Sequence, residues 1–224
     1  MDKYPEAILN MQLERTAHAL EHNGIQSFVV SDSAQVSPLI QTLLKPGDTV
    51  SFGGSETLRQ CGVLSLLRSG SYRLLDRSEP GLTSAQIEEI YRNSFSADAY
   101  FCSANAITEQ GEIYNVDGYG NRIAAIAFGP KSVIMVVGAN KIVRNLKEAQ
   151  LRVKSIAAPA NCLRLSKETY CSKCGQCSSL VTGNREMTAG CDSADRICSS
   201  YLILGKQQRK GRIKVILVAQ TLGF

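Results

Sequence analysis

Two runs that are apolar after their first residue, Ser132–Val137 and Lys214–Val218, constrain the fold more than any other feature of the chain. A strand that is apolar at nearly every position has both faces buried, which is the situation of a strand inside a parallel sheet covered by helices. The rest of the sequence supplies such helices. Leu9, Leu13, Ala17 and Leu20 recur at helical spacing, and Asn23–Gly24 offers a stop. A strand is expected over Ile25–Val30, a helix from about Ser33 to Leu44, a turn at Lys45–Asp48 and a strand at Thr49–Phe52. A helix through Leu67 and a strand near Tyr72–Leu75 follow. Thr83–Asn93 has helical spacing, with Thr83 and Gln86 in the positions of a capping box. Strands are expected at Ala99–Ser103 and Glu112–Val116, and a helix at Lys147–Ser155. This alternation is the pattern of βαβ crossovers, so the expected class is α/β, with a mostly parallel sheet sandwiched by helices.

The chain has 224 residues, enough to bury a substantial core. Its 44% hydrophobic and 20% charged residues are ordinary for a globular protein and exclude a disordered one. The net charge of +5 is spread out. Its densest basic stretch, Lys206–Lys214, lacks interleaved aromatics and reads as a solvated turn, so no nucleic-acid partner is expected. No segment approaches the ~18 apolar residues of a membrane span, and Met1–Pro5 lacks the regions of a secretory leader. The expected location is the cytoplasm, where eight cysteines need an explanation other than disulfides.

Five of those cysteines fall within 28 positions: Cys171, Cys174 and Cys177, then, after thirteen residues, Cys191 and Cys198. Cys-x2-Cys-x2-Cys with a distant fourth thiol is a spacing that wraps an iron–sulfur cluster. Four thiolates suit a structural zinc equally well. Idle thiols in such a polar segment are an oxidation liability, so the segment at about 170–199 is read as a metal-binding insertion near the end of a single 1–224 domain. The expected cofactor is an iron–sulfur cluster, of the four-iron kind by its spacing rule, with zinc as the alternative. Cys61, Cys102 and Cys162 stand singly among apolar residues and read as core. His18 and His22, four apart on the first helix, have chelating spacing but no accompanying carboxylate motif.

A second candidate site lies where strands end. Gly53-Gly54-Ser55 follows a strand and opens a helix, a place suited to an anion or to a plain capped turn. The stretch Thr108–Arg122 carries Glu109 and Asp117, candidates for general base or nucleophile. It also carries Asn121 and Arg122, the latter able to hold an acid in a bidentate fork. Asn140 and Lys141 follow a buried strand, at the sheet edge where open α/β sheets bind ligands. The bland alternative is a solvated hairpin and an ordinary strand end.

Together these residues resemble a known family. Ser51-Phe52-Gly53-Gly54-Ser55-Glu56-Thr57-Leu58, Ser103–Glu112, Asn115–Arg122, Val137–Val143 and Asp195-Arg196-Ile197-Cys198 match the pattern of LUD-domain (lactate utilization, LutC/YkgG-like) proteins over essentially the whole chain. The resemblance implies a Rossmann-like sandwich similar to the NagB/RpiA/CoA-transferase group. It implies a small anionic metabolite as ligand and a role linked to the redox metabolism of 2-hydroxy acids beside iron–sulfur or oxidoreductase partner proteins, with homo-oligomerisation open. It also implies that Cys171, Cys177, Cys191 and Cys198 are the ligands, on a family pattern whose middle spacing is enlarged here, leaving Cys174 as the extra thiol. Alternatives are a non-catalytic subunit whose metal knot docks a partner, and an acyl- or CoA-transferring enzyme using Glu109.

Overall fold

The computed structural model describes residues 3–224; Met1 and Asp2, which open the stretch read as lacking a leader, lie outside the described residues. The chain opens with α1 (Lys3–His22), β1 (Gln26–Val30), α2 (Val36–Leu43), β2 (Thr49–Phe52), α3 (Glu56–Gln60), α4 (Val63–Leu67), β3 (Arg73–Leu75) and α5 (Ser84–Asn93). The middle comprises β4 (Ala99–Cys102), β5 (Ala106–Thr108), β6 (Ile113–Asp117), α6 (Asn121–Ala127), β7 (Ser132–Gly138) and β8 (Ile142–Val143). After α7 (Leu146–Arg152), a π turn at Val153–Ala157 leads into α8 (Ala158–Arg164), then α9 (Tyr170–Cys174), α10 (Ser178–Val181), β9 (Ser200–Leu204) and β10 (Ile213–Val218).

Six strands form one sheet in the order β1-β10-β7-β4-β2-β3, every pair parallel. The two apolar runs, β7 and β10, are adjacent and central, which is why they tolerate no polar face. One face packs on α1 and α6 through Leu13, Leu20 and Ile126 against Val133, Met135, Val215 and Leu217. The other packs on α2, α3 and α4 through Ile40, Leu58 and Leu67 against Phe101, Ile134 and Ile216. The expected α/β class, a parallel sheet flanked by helices, is therefore the fold.

A second, four-stranded sheet of order β8-β5-β6-β9 was not expected in full. The Thr108–Arg122 stretch runs from the end of β5 through β6; the two strands are antiparallel and buried, while Gln110, Gly118 and Tyr119 in the turns are exposed. Alternation sends Ile107 and Ile113 into the core under α1, and Ala106, Tyr114 and Val116 into a smaller core with Ala149, Val153 and Ala158. The helix expected through Leu67 is broken in two at Gly62, which takes φ +68°. No helix among the described residues is long and apolar enough to cross a membrane.

Candidate functional site

Because β3, β2, β4 and β7 run parallel, the residues that follow them emerge at one edge of the sheet. These residues are Arg77 after β3, Gly53-Gly54-Ser55 after β2, Ser103 after β4 and Lys141 after β7. With Asp117 at the end of β6, Asn121 and Arg122 opening α6, and Arg164 closing α8, all of these but Gly53 line a cleft of about 680 Å³. Gly54, Ser55, Asp117, Asn121, Arg122 and Lys141 are thus brought together. Gly53 lies just behind the wall: its N–H donates to the Phe101 carbonyl, and a methyl group there would stand 2.9 Å from the Tyr100 hydroxyl. Ser55 accepts from the Leu58 N–H as the cap of α3, a helix of five residues.

Two candidate residues stand elsewhere. Glu109 accepts from Gln12 and faces Arg15 at 3.7 Å, tying the β5–β6 hairpin to α1 outside the cleft. Asn140 accepts from the Leu222 N–H and donates to the Gly223 carbonyl, holding the chain's last residues.

Arg122 has no free fork to offer. Its Nε donates to Asp117 Oδ1 (2.8 Å), Nη1 to the Ser103 carbonyl (3.0 Å), and Nη2 to Asn105 Oδ1 (2.7 Å) and the Val116 carbonyl (3.0 Å). The other Asp117 oxygen accepts from the Ile123 N–H. The pair knits β4, β6 and α6 together, and neither the expected substrate fork nor the expected free carboxylate is left over.

Lys141 differs. Its side chain is 3% exposed. Nζ donates to Thr57 Oγ1 (2.8 Å) and Ser103 Oγ (3.1 Å), both neutral. Burial, reinforced by the charges of Arg152 and Arg122, pushes its pKa down to about 7. A buried amine of that basicity exchanges a proton near neutral pH and is nucleophilic in its neutral form.

The acids of the cleft are each matched already: Glu56 with Arg59, Asp117 with Arg122, Asp195 with Lys167. Arg77, Arg164, Lys141 and Arg196 line the same cleft and form no ion pair among the described residues. The cleft is therefore strongly cationic. Arg77 and Arg164 sit in an irregular loop and at a helix end, with no motif or periodicity that would have singled them out.

The cysteine-rich segment forms a second, narrow cavity of about 20 Å³, roughly room for one water. Cys171, Cys177, Cys191 and Cys198 line it, and so does Cys162 from α8. Cys171 and Cys162 sulfurs are 3.7 Å apart. Cys174 is exposed at the end of the one-turn α9, where Gly175 at φ +73° turns the chain away. Cys162 was read as core because its neighbours in sequence are apolar; only the packing of α8 against α9 brings it to the other thiols. Cys61 and Cys102 are buried elsewhere in the two main cores.

Two cations border this cavity. Lys154 Nζ donates to Ser179 Oγ and the Glu186 carbonyl. Arg196 donates to the carbonyls of Cys198 and Cys191 and to the Tyr201 hydroxyl. All these partners are neutral. Burial pushes the Cys198 thiol up to about 12 and Cys162 up to about 11. Without a metal these thiols stay protonated, and a bound metal would displace the protons. No group of three His, Cys, Asp or Glu among the described residues is arranged to grip a single ion. The donor set itself, soft sulfur beside uncompensated positive charge, fits a group carrying net negative charge. Arg196 and Ile197 line both the thiol cavity and the cationic cleft.

No curated protein matches the sequence significantly. Among solved structures, the chain is similar to a DUF162-family protein from Deinococcus radiodurans at 17% identity and a TM-score of 0.48, covering 96% of this chain and 98% of that one. The LUD-domain model matches residues 13–218, and the chain belongs to the LUD-domain family.

Proposed function

We propose that this protein binds a small organic anion in the cationic cleft and an iron–sulfur cluster on the thiols of the adjoining cavity, and so takes part in the redox metabolism of 2-hydroxy acids. Family membership supports a role related to lactate utilization in general. The observation that carries the finer reading is the shared wall: the short stretch Asp195–Cys198 contributes Arg196 and Ile197 to both cavities. Asp195 pins that stretch by accepting from Lys167 Nζ and the Glu168 N–H.

Cys171, Cys177, Cys191 and Cys198 would hold the cluster, with Cys162 as the neighbouring fifth thiol. Bound there, the cluster supplies one-electron transfer. Lys154 and Arg196 offset the negative charge of the thiolates. In the cleft, the unpaired cations attract the anion, and Lys141 is placed to hold or release a proton close to neutral pH.

The test is a titration of anaerobically purified protein with lactate and pyruvate, followed in the visible spectrum. A change in the cluster's absorption that saturates with either acid is the expected result. Saturable binding with an unchanged spectrum would separate the two cavities functionally, and no binding by either acid would remove the 2-hydroxy-acid reading.

A further inference from the structure

The cleft is much larger than a three-carbon acid requires; its 680 Å³ lies in the range of sites for drug-sized ligands. Its cations are also grouped. A methyl group built on Gly54 would stand 2.6 Å from Arg77 Nη2 and 3.7 Å from Arg164 Nη2. The two guanidinium nitrogens are therefore no further apart than those two distances laid end to end. A side chain at position 54 would push the Arg77 guanidinium aside.

Neither guanidinium is neutralised. Arg77 stacks on the Tyr91 ring at 5.6 Å, and its Nη1 donates to the Tyr91 hydroxyl. Its Nε is buried with no hydrogen-bond partner. Arg164 donates through Nε and Nη2 to one acceptor, Asn161 Oδ1. Burial and the charge of Arg77 both push the Arg164 pKa down. Glu56, whose charge pulls the Arg164 pKa the other way, is already paired with Arg59. Two positive groups held together against their own repulsion, one with an orphaned buried donor, are a site short of an anion. A carboxylate satisfies one planar fork, whereas a tetrahedral dianion presents oxygens to two forks at once.

We propose that Arg77 and Arg164 form a phosphate subsite, and that the organic anion of this cleft is a phosphate monoester extending from that pair toward Lys141. This deepens the reading of the cleft as an organic-anion site and is independent of the metal. Its ligand chemistry is shared by inorganic phosphate and by phosphorylated metabolites, which the probes separate.

The experiment is calorimetric titration of the full chain with inorganic phosphate, glycerol 3-phosphate and lactate at fixed ionic strength, for wild type, Arg164→Gln and Arg77→Gln. Glycerol 3-phosphate is expected to bind at least about tenfold more tightly than lactate and more tightly than inorganic phosphate. Arg164→Gln, at a position outside the three apolar cores, is expected to weaken both phosphate probes by about tenfold or more and lactate by a smaller factor. Arg77→Gln should act in the same direction, with circular dichroism reporting whether it folds. Inorganic phosphate binding as tightly as the ester would overturn the monoester assignment. Phosphate affinities unchanged in Arg164→Gln, or no phosphate binding by wild type, would overturn the subsite. Lactate binding and metal content, read on the same samples, report separately on the reading beneath it.

Discussion

Single residues divide here into those that hold the site and those free to act in it. Asp117 is buried and Arg122 largely so, and the two are mutually paired and held by several hydrogen bonds. Removing one partner of such a pair strands the other in low dielectric. Arg122→Gln is accordingly expected to cost about 3–5 kcal/mol in urea unfolding; a cost under about 1 kcal/mol would mean the guanidinium is free for a ligand after all. Lys141 has its folded pKa depressed to about 7 from an ordinary 10.5. Between those values the unfolded chain binds a proton that the folded chain has released, so stability rises with pH across that window and the penalty is fully present below it. The limiting slope is about 1.4 kcal/mol per pH unit. Lys141→Met should remove this component, seen as the difference between the two proteins' stability profiles from pH 6 to about 10. Parallel profiles would show that the amine keeps its ordinary basicity.

At the scale of elements, the β5–β6 hairpin docks under α1 through a close backbone approach. Gly111 takes φ +80°, and a methyl group there would meet the Ala19 and Leu20 backbone at 2.6–2.7 Å. Gly47, at φ +84°, has nothing within 4 Å. Gly47→Ala should therefore cost only the left-handed strain of about 1–2 kcal/mol, and Gly111→Ala should cost that plus an overpacking penalty of about 1–3 kcal/mol, measured as the difference in unfolding free energy. Equal costs would contradict the close packing. The elements legible in the sequence were those with a clear period or a cap, such as β7, β10, α1 and the Thr83–Gln86 capping box of α5. Those missed have physical reasons. β5 is three residues long, β9 is a partly buried edge strand, and α6 starts from Gly120 at φ +80° inside a glycine-rich stretch. The helix expected to stop at Ser155 continues past Pro159 because a π turn precedes it and the proline falls in the first turn of α8, where its missing N–H is not needed.

For the whole molecule, the edge rule for parallel sheets located Gly54, Ser55 and Lys141, since these directly follow strands. It did not reveal Arg77, Arg164 or Cys162, whose roles arise from tertiary packing alone. The cysteine spacing was legible as a cluster but ambiguous in membership. The fold sets Cys174 outside and brings Cys162 in. Cys174→Ser is thus expected to retain its metal, and Cys191→Ser to lose most of it, by metal analysis after anaerobic purification; the reverse pattern would mean that the Cys-x2-Cys-x2-Cys triplet provides the ligands.

The proposed redox-active cluster in the thiol cavity is tested most directly by metal content together with the visible spectrum of protein purified without oxygen. About four irons per chain with broad brown absorption is the result expected. A colourless protein, whether it carries about one zinc or no metal at all, would contradict it.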